Sequence, residues 1–263
     1  MTVYQNDQPR YLQAAIQSVL NQTHTTNDFQ IIVDGPIGSE LQSVLDQYAD
    51  AIKITSLATN QGLGGALKVG VELVKNEFVA RMDADDISVP QRMALQTEFL
   101  HANPNIVAVS SDLLEMDEDG TLSNRVKHMP QVMTDIKKTM VYRNPINHPA
   151  VMFRKSAVLE VGNYINLYKQ EDYYLWIRLV QHGFELANIS QPLVYMRMGD
   201  SAYQRRGDMR IYKSAKVVSK YMLEHNMISI YTYWRRNMLK WVTLKTPNQL
   251  RKIIYQRILR KEV

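Results

Sequence analysis

Three carboxylates fall within four residues in the stretch Arg81-Met82-Asp83-Ala84-Asp85-Asp86. Like charges this close repel one another, and a divalent cation would neutralise them. Carboxylates with no Cys or His beside them suit a hard ion such as Mn²⁺ or Mg²⁺. The competing reading is an acidic helix start that complements the macrodipole. A second acidic pair lies in Gln170-Glu171-Asp172-Tyr173-Tyr174-Leu175-Trp176, where a helical pattern begins. Glu171 and Asp172 either supply a general base or, again, only complement a dipole. Asp34, in Val33-Asp34-Gly35-Pro36, is a turn aspartate or a ligand contact. The run Asn60-Gln61-Gly62-Leu63-Gly64-Gly65-Ala66-Leu67-Lys68-Val69-Gly70 leads from a glycine-rich loop into a helix. It can bring backbone N–H groups close to an anion, and close helix–sheet packing explains it equally well. No Gly-Lys-Ser/Thr follows, so it is not a P-loop, and Leu67 stands where a dinucleotide fingerprint needs its third glycine. His148, beside Pro149, orients a ligand or is a satisfied structural histidine. Trp176, three positions into its helix, is core or a sugar platform.

The surrounding elements decide which of these residues can meet. Glu77 to Ala80 reads as a buried strand that delivers the acidic cluster at its carboxyl end. Ile87-Ser88-Val89-Pro90 then opens a helix ending near His101, with Ser88 as candidate N-cap and Pro90 near the first turn. Met1 to Tyr4 looks like the end of a strand; either that strand is very short or the native start lies a few residues upstream. From Pro9, apolar residues at Leu12, Ala15, Ile16, Val19 and Leu20 form one helix face. Phe29 to Val33 is a second strand stopped at Asp34. Leu41, Val44, Leu45 and Tyr48 give a second helix face, and Ile52 to Ile54 a third strand. Strand and helix thus alternate four times in the first hundred residues, the pattern of a parallel α/β sheet. Asp34, the glycine run and the acidic cluster share the carboxyl edge, where open α/β sheets place ligands. A nucleotide-diphosphate site accounts for that convergence. Further strands are expected at Ile106–Ser110, after Asn147, and at Leu193–Arg197, with a hairpin turn at Asp117–Gly120 and a helix over Met209–His225.

The 263 residues contain no cysteine. That excludes disulfides, zinc–thiolate sites and thiol catalysis, and suits a reducing cytoplasm. No apolar run reaches the roughly 18 residues of a membrane span, and no signal peptide is read ahead of the first strand. The length fits one large domain or one and a half. From Arg197 to Val263 sixteen Lys/Arg face four Asp/Glu, whereas residues 1–196 carry fifteen against twenty-two. An acidic front is joined to a basic back that should meet something anionic. From Tyr231 onward basic and aromatic residues alternate, through Trp234, Arg235, Arg236, Lys240 and Trp241 to Arg251, Lys252, Tyr255, Arg257, Arg260 and Lys261. Leu250, Ile253, Ile254 and Ile258 recur at helical spacing. The pattern predicts an amphipathic, surface-lying helix pair for anionic lipid; a solvated basic helix packed on the domain is the alternative. No nucleic-acid motif accompanies the charge, and no nucleic-acid partner is expected.

Taken in order, the Asp34 turn, the glycine run, the Arg81–Asp86 cluster and the Gln170–Trp176 stretch resemble family 2 glycosyltransferases of the GT-A fold. The likeness extends over essentially the whole chain. It is closest to the bacterial branch that builds amylovoran, capsular and O-antigen polysaccharides, and within it to β-1,3-galactosyltransferases acting on N-acetylglucosamine diphosphoundecaprenol. The resemblance implies an α/β fold with a mostly parallel central sheet flanked by helices and a helical basic C-terminal extension. It implies a catalytic domain over 1–200, with a nucleotide-sugar half to about 110 and an acceptor half from 111, and a membrane-associating region over 201–263.

The resemblance also implies roles. Asp34 contacts the uracil or its ribose; Asp83 holds the ribose or the metal-bound diphosphate; Asp85, with Asp83, ligates Mn²⁺ or Mg²⁺. Gly62, Lys68 and Arg81 belong to the nucleotide-sugar site. Asp86 supports the acceptor site or the metal, and His148 and Trp176 serve the acceptor. Asp172 is the catalytic base, oriented by Glu171. Some relatives supply a late His or Asp to the metal, but no His lies between His182 and His225 here. The implied reaction is a single inverting displacement from a UDP-sugar onto an undecaprenyl-diphosphate-linked sugar, at the cytoplasmic face of the bacterial inner membrane. A sugar-phosphate nucleotidyltransferase is the rival enzyme, although Tyr4-Gln5-Asn6-Asp7-Gln8 lacks the glycine such enzymes place after their first strand. The non-enzyme rival is a membrane-attached scaffold that has lost catalysis; the intact Asp83, Asp85 and Asp172 argue against it.

Overall fold

The computed structural model describes residues 1–198, 208–245 and 261–262. Its first part follows the strand–helix alternation closely. β1 (Thr2–Val3), β2 (Gln30–Val33) and β3 (Lys53–Ser56) form a three-stranded parallel sheet. The helices between them, α1 (Pro9–Leu20) and α2 (Ser39–Gln47), bury one apolar stripe each: Leu12, Ala15, Ile16 and Val19 on α1, and Leu41, Val44 and Leu45 on α2. Pro9 opens α1, where a missing N–H costs nothing. α3 (Leu63–Leu73) begins within the glycine run, with Gly62 as its N-cap.

β4 (Phe78–Ala80) does not continue this parallel sheet. It pairs antiparallel with β8 (Met152–Arg154) in a second, mixed sheet. β6 (Ile106–Met116) is the spine of that sheet. Along one edge it runs parallel to β9 (Glu185–Arg197), and along the other antiparallel to β8 and to β7 (Leu122–Lys127). β5 (Ile87–Ser88) pairs antiparallel with β9, and β10 (Lys261–Glu262) with β7. The expected mostly parallel sheet is therefore limited to β1–β3 and the β6–β9 ladder. Alternation with helices forces parallel pairing only where each strand returns beside its predecessor; the pattern does not say which neighbour β4 takes. A cavity of about 800 Å³ lies between β1–β2 and β4, lined by Met1, Thr2 and Gln30 on one side and Phe78 to Met82 on the other. The Met1 backbone nitrogen donates to the Gln30 carbonyl there at 3.0 Å.

The expected helix at Ser88 is displaced. Ser88 belongs to β5, its N–H donating to Ser18 Oγ, and α4 begins only at Arg92, ending at Ala102. The hairpin turn stands as read: Gly120 N–H donates to the Asp117 carbonyl at 3.1 Å, with Gly120 at φ +95°.

Neighbouring strand residues face opposite ways, as the two-residue period requires, and they feed two cores. Ala108 and Phe153 pack with α3, α5 (Met133–Met140), α6 (Lys155–Glu160) and α7 (Glu171–Gln181); Val109 and Met152 pack with α1, α2 and α4. α8 (Met209–Glu224) buries Val218 and Met222 in the first of these cores. α8, which lies beyond the boundary expected near residue 200, thus packs on the same core. α9 (Ile230–Lys245) leans on α8, and its Arg236 reaches the Met140 carbonyl and the Tyr173 hydroxyl. The second expected basic helix, Leu250 to Ile258, lies outside the described residues.

Candidate active site

The acidic cluster occupies the loop between β4 and β5. Arg81, buried, grips Asp83 through both Nη atoms. A second buried arginine, Arg92 of α4, fixes the backbone beneath by donating to the Arg81 carbonyl at 2.7 Å and the Val151 carbonyl at 3.2 Å. Asp83 is half-buried, Asp85 exposed and Asp86 buried. Asp86 accepts the Arg197 backbone N–H at 2.8 Å, and the Arg197 side chain donates to the carbonyls of Asp85, Asp117 and Glu118. Its guanidinium also lies 4.0 Å over the Tyr11 ring. The sequence reading missed Arg92 and Arg197. Arg197 was discoverable as a cation at the carboxyl end of β9; Arg92 carried no signal beyond its charge on a helix face that it shares with buried Met93, Gln96 and Leu100.

One ligand oxygen from each of Asp83, Asp85 and Asp86 lies within 4.8 Å of the others. Desolvation and the Asp83 charge push Asp85 up to about 6, and burial with both neighbouring carboxylates pushes Asp86 well above its usual value. Asp7, at the end of β1, adds to the same negative region. It accepts the Tyr4 N–H at 2.9 Å, and burial, with the Asp85 and Asp83 charges adding, holds it at about 7. An all-oxygen donor set, crowded and short of countercharge, fits a hard divalent cation.

Asp34 is buried, its Oδ1 accepting the Gln61 N–H at 2.6 Å and its carbonyl accepting Asn60 Nδ2 at 3.0 Å. It ties the end of β2 to the glycine loop. Gly62 has φ +80°, and a side chain there would meet Asn166. A Cβ on Gly64 would run into the Ile165 carbonyl. Asn166 Nδ2 in turn donates to the Gln61 carbonyl. These glycines therefore permit close approach of the 163–167 segment. Lys68 is exposed on α3.

The second acidic pair opens α7. Glu171 is buried, and Asp172 keeps 17% side-chain exposure. Asp172 Oδ2 accepts a 2.6 Å hydrogen bond from Asn144 Nδ2 and lies 4.0 Å from His148 Nδ1. Burial raises both carboxyl pKa values; the Asp172 charge raises Glu171 further, and Arg81 acts against the rise in each. Arg81 is thus electrostatically felt by both acidic sets. Two expected acceptor contacts are corrected here. Trp176 is wholly buried, so it is core and not a sugar platform. His148 is buried too, bonded through Nε2 to the Tyr164 hydroxyl at 3.0 Å with its ring edge on Trp176. It packs behind Asp172 instead of facing a ligand. Arg81 likewise acts through Asp83.

This geometry has close relatives. The model for glycosyl transferase family 2 matches residues 1–159. The chain is 34% identical over 210 residues to the amylovoran biosynthesis glycosyltransferase AmsE of Erwinia amylovora, covering 79% of this chain and 78% of that protein. It is 32% identical over 264 residues to the UDP-Gal:alpha-D-GlcNAc-diphosphoundecaprenol beta-1,3-galactosyltransferase of Escherichia coli, covering 99% and 95%.

The chain belongs to glycosyltransferase family 2.

Solved structures show the same GT-A fold at low identity. S. aureus TarS 1-349 in complex with UDP-GlcNAc superposes with TM-score 0.70 at 14% identity, covering 94% of this transferase and 75% of that chain. The mannosyltransferase PcManGT from Pyrobaculum calidifontis, in complex with GDP-Man and Mn²⁺, gives 0.64 at 11% identity, covering 95% and 70%. The transferase therefore carries its acidic loop and its Glu171–Asp172 pair on a fold that receives nucleotide sugars in those proteins.

Proposed function

We propose that the transferase moves galactose from UDP-galactose, with inversion, onto a lipid-diphosphate-linked sugar of the N-acetylglucosamine diphosphoundecaprenol kind, in O-antigen, lipopolysaccharide or capsule assembly. What carries the reading is the coexistence of an oxygen-only acidic cluster and a buried carboxylate pair, both sensed by Arg81. The 32% identity to the E. coli galactosyltransferase supports the choice of donor and acceptor.

Asp34 and the neighbouring loop take the uridine; Lys68 and the backbone at Gly62 lie on the nucleotide side. Asp85, with Asp83, would hold Mn²⁺ or Mg²⁺, whose charge when bound offsets that developing on the diphosphate leaving group. Arg81 holds Asp83 in orientation through both Nη atoms, and Asp86 supports the loop from below on the acceptor side. The carboxylate of Asp172 removes the proton from the acceptor hydroxyl as that oxygen bonds to the anomeric carbon. The bond from that carbon to the diphosphate oxygen breaks, and its electron pair leaves with UDP. Glu171 keeps Asp172 in place. One displacement converts an α-linked donor into a β-linked product.

The transferase works as a peripheral protein on the cytoplasmic side of the inner membrane. No helix among the described residues is long and apolar enough to cross a membrane. α9 instead leaves Ile230, Tyr231, Trp234, Met238, Trp241 and Val242 exposed, at spacings that share one side of a helix. Those residues with the adjacent Arg235 and Lys240 suit an anionic lipid surface.

Incubation with a panel of nucleotide sugars and a short-chain lipid-diphosphate acceptor tests this, with NMR of the product linkage. β-linked sugar transfer supports the reading. Pyrophosphate release from a sugar 1-phosphate and nucleoside triphosphate would identify a nucleotidyltransferase. Nucleotide binding without turnover would identify a scaffold.

A further inference from the structure

The segment between α5 and β8 carries no element longer than one 3₁₀ turn, His148–Ala150, yet it is bolted down throughout. Asn147 Nδ2 donates to the Ser111 carbonyl at 2.8 Å, and Ser110 Oγ donates to the Asn147 carbonyl at 2.8 Å. Asn188 Nδ2 donates to the Pro145 carbonyl at 3.0 Å. Both central strands, β6 and β9, therefore hold this loop. At its near end Asn144 Oδ1 accepts the Ile146 N–H at 3.1 Å. That bond orients the amide and turns Nδ2 toward Asp172, which it meets at 2.6 Å. At its far end His148 Nδ1 lies 4.0 Å from the same Oδ2 oxygen, its ring fixed by Tyr164 and Trp176.

We propose that Asn144 is the positioning residue of the base: anchored through the loop to β6 and β9, it holds the Asp172 carboxylate in its proton-accepting orientation and favours its ionised form. The proposal rests on the assignment of Asp172 as base. A donor aimed at a carboxylate stabilises the charged state and opposes burial, which acts the other way. Burial and the Arg81 charge keep His148 neutral, so it adds packing and not a countercharge. The charged and titratable groups that face Asp172 are Glu171 on its own helix, Arg81 from the end of β4 and Lys127 from β7. Tyr164, from the loop after α6, and Tyr173 complete the set. Two neutral donors meet it as well, the backbone N–H of Tyr173 and the side-chain amide of Asn144, and Asn144 is the one a substitution can remove.

The test is the pH profile of kcat for wild type, Asn144→Ala, Asn144→Asp and Asp172→Asn, with circular dichroism for the fold and the donor KM alongside. Losing a hydrogen bond to a charged group should move the acid limb of the Asn144→Ala profile up by about one pH unit. Turnover then recovers at alkaline pH, with the donor KM unchanged. Asn144→Asp should move the limb further the same way, because it adds a like charge. A limb that stays in place in folded Asn144 variants, or a loss of turnover uniform across pH, overturns the positioning role. If Asp172→Asn itself keeps near-normal turnover and its acid limb, the base assignment has failed instead. Asp172→Asn inactive with Asn144→Ala unshifted leaves the base standing and removes only Asn144.

Discussion

The two acidic sets of this transferase are built from the same side chains and surrounded by opposite chemistry. Asp83 is clamped by a buried guanidinium, and Asp85 and Asp86 are tied to Arg197 through a carbonyl and a backbone N–H. Asp172 is met by a neutral amide and a neutral imidazole, with its cations further off. In the loop only the Asp83 carboxylate is held by a cation, and the crowding that pushes Asp85 up to about 6 and Asp86 well above its usual value is what a divalent ion would relieve. A carboxylate among neutral partners, raised by burial, is suited to taking a proton. The environment of each aspartate thus supports the roles proposed for it, which the residue type alone leaves open.

The comparison breaks first at the metal. EDTA should abolish transfer and Mn²⁺ should restore it, and Asp85→Ala should lose activity with little change in thermal unfolding. Full activity in chelator would remove the loop's assigned role. Next comes the base. Asp172→Asn keeps size and hydrogen bonding but cannot take the proton, so turnover should fall roughly 10²- to 10⁴-fold. Calorimetry should show near-normal nucleotide affinity, and Glu171→Gln should cost less.

Turnover of wild type should also fall as pH drops through a value above the ordinary carboxylate range, because burial raises Asp172 and the base works only when ionised. A limb at the ordinary carboxylate value would mean that Asp172 is open to water in the working enzyme. The same raised pKa opposes stability: the fold binds the proton more tightly than the unfolded chain, so this contribution weakens as pH rises between the two values. Asp34→Ala sharpens the comparison from the donor side. It should weaken donor binding roughly 10-fold, a charged hydrogen bond's worth, more than it slows the bound complex.

Much of this site was legible in the sequence because its carboxylates fall at strand ends and helix starts, which spacing reveals. The parallel strands β1–β3, their helices and the Asp117–Gly120 turn follow from local pattern. What spacing could not show is partnership across the chain. Asn144 reaches Asp172 over 28 residues, and Arg197 reaches Asp85 over 112. The burial of His148 and Trp176 is hidden too, because sequence distance says nothing about which face of a helix or turn is covered. The mixed sheet was hidden for the same reason, since β4 meets β8 only after a long excursion.

The smallest expected effect lies at α9. Trp234→Ala with Trp241→Ala should reduce sedimentation with anionic vesicles while sparing activity on a short-chain soluble acceptor. Equal loss on both would make the helix part of the fold alone.

The division of labour between the two acidic sets is tested most directly by Mn²⁺ titration, followed by electron paramagnetic resonance, of wild type, Asp85→Ala and Asp172→Asn with UDP present. Asp85→Ala should lose the bound ion, and Asp172→Asn should bind it as wild type does. Mn²⁺ retained by Asp85→Ala, or lost by Asp172→Asn, would contradict it.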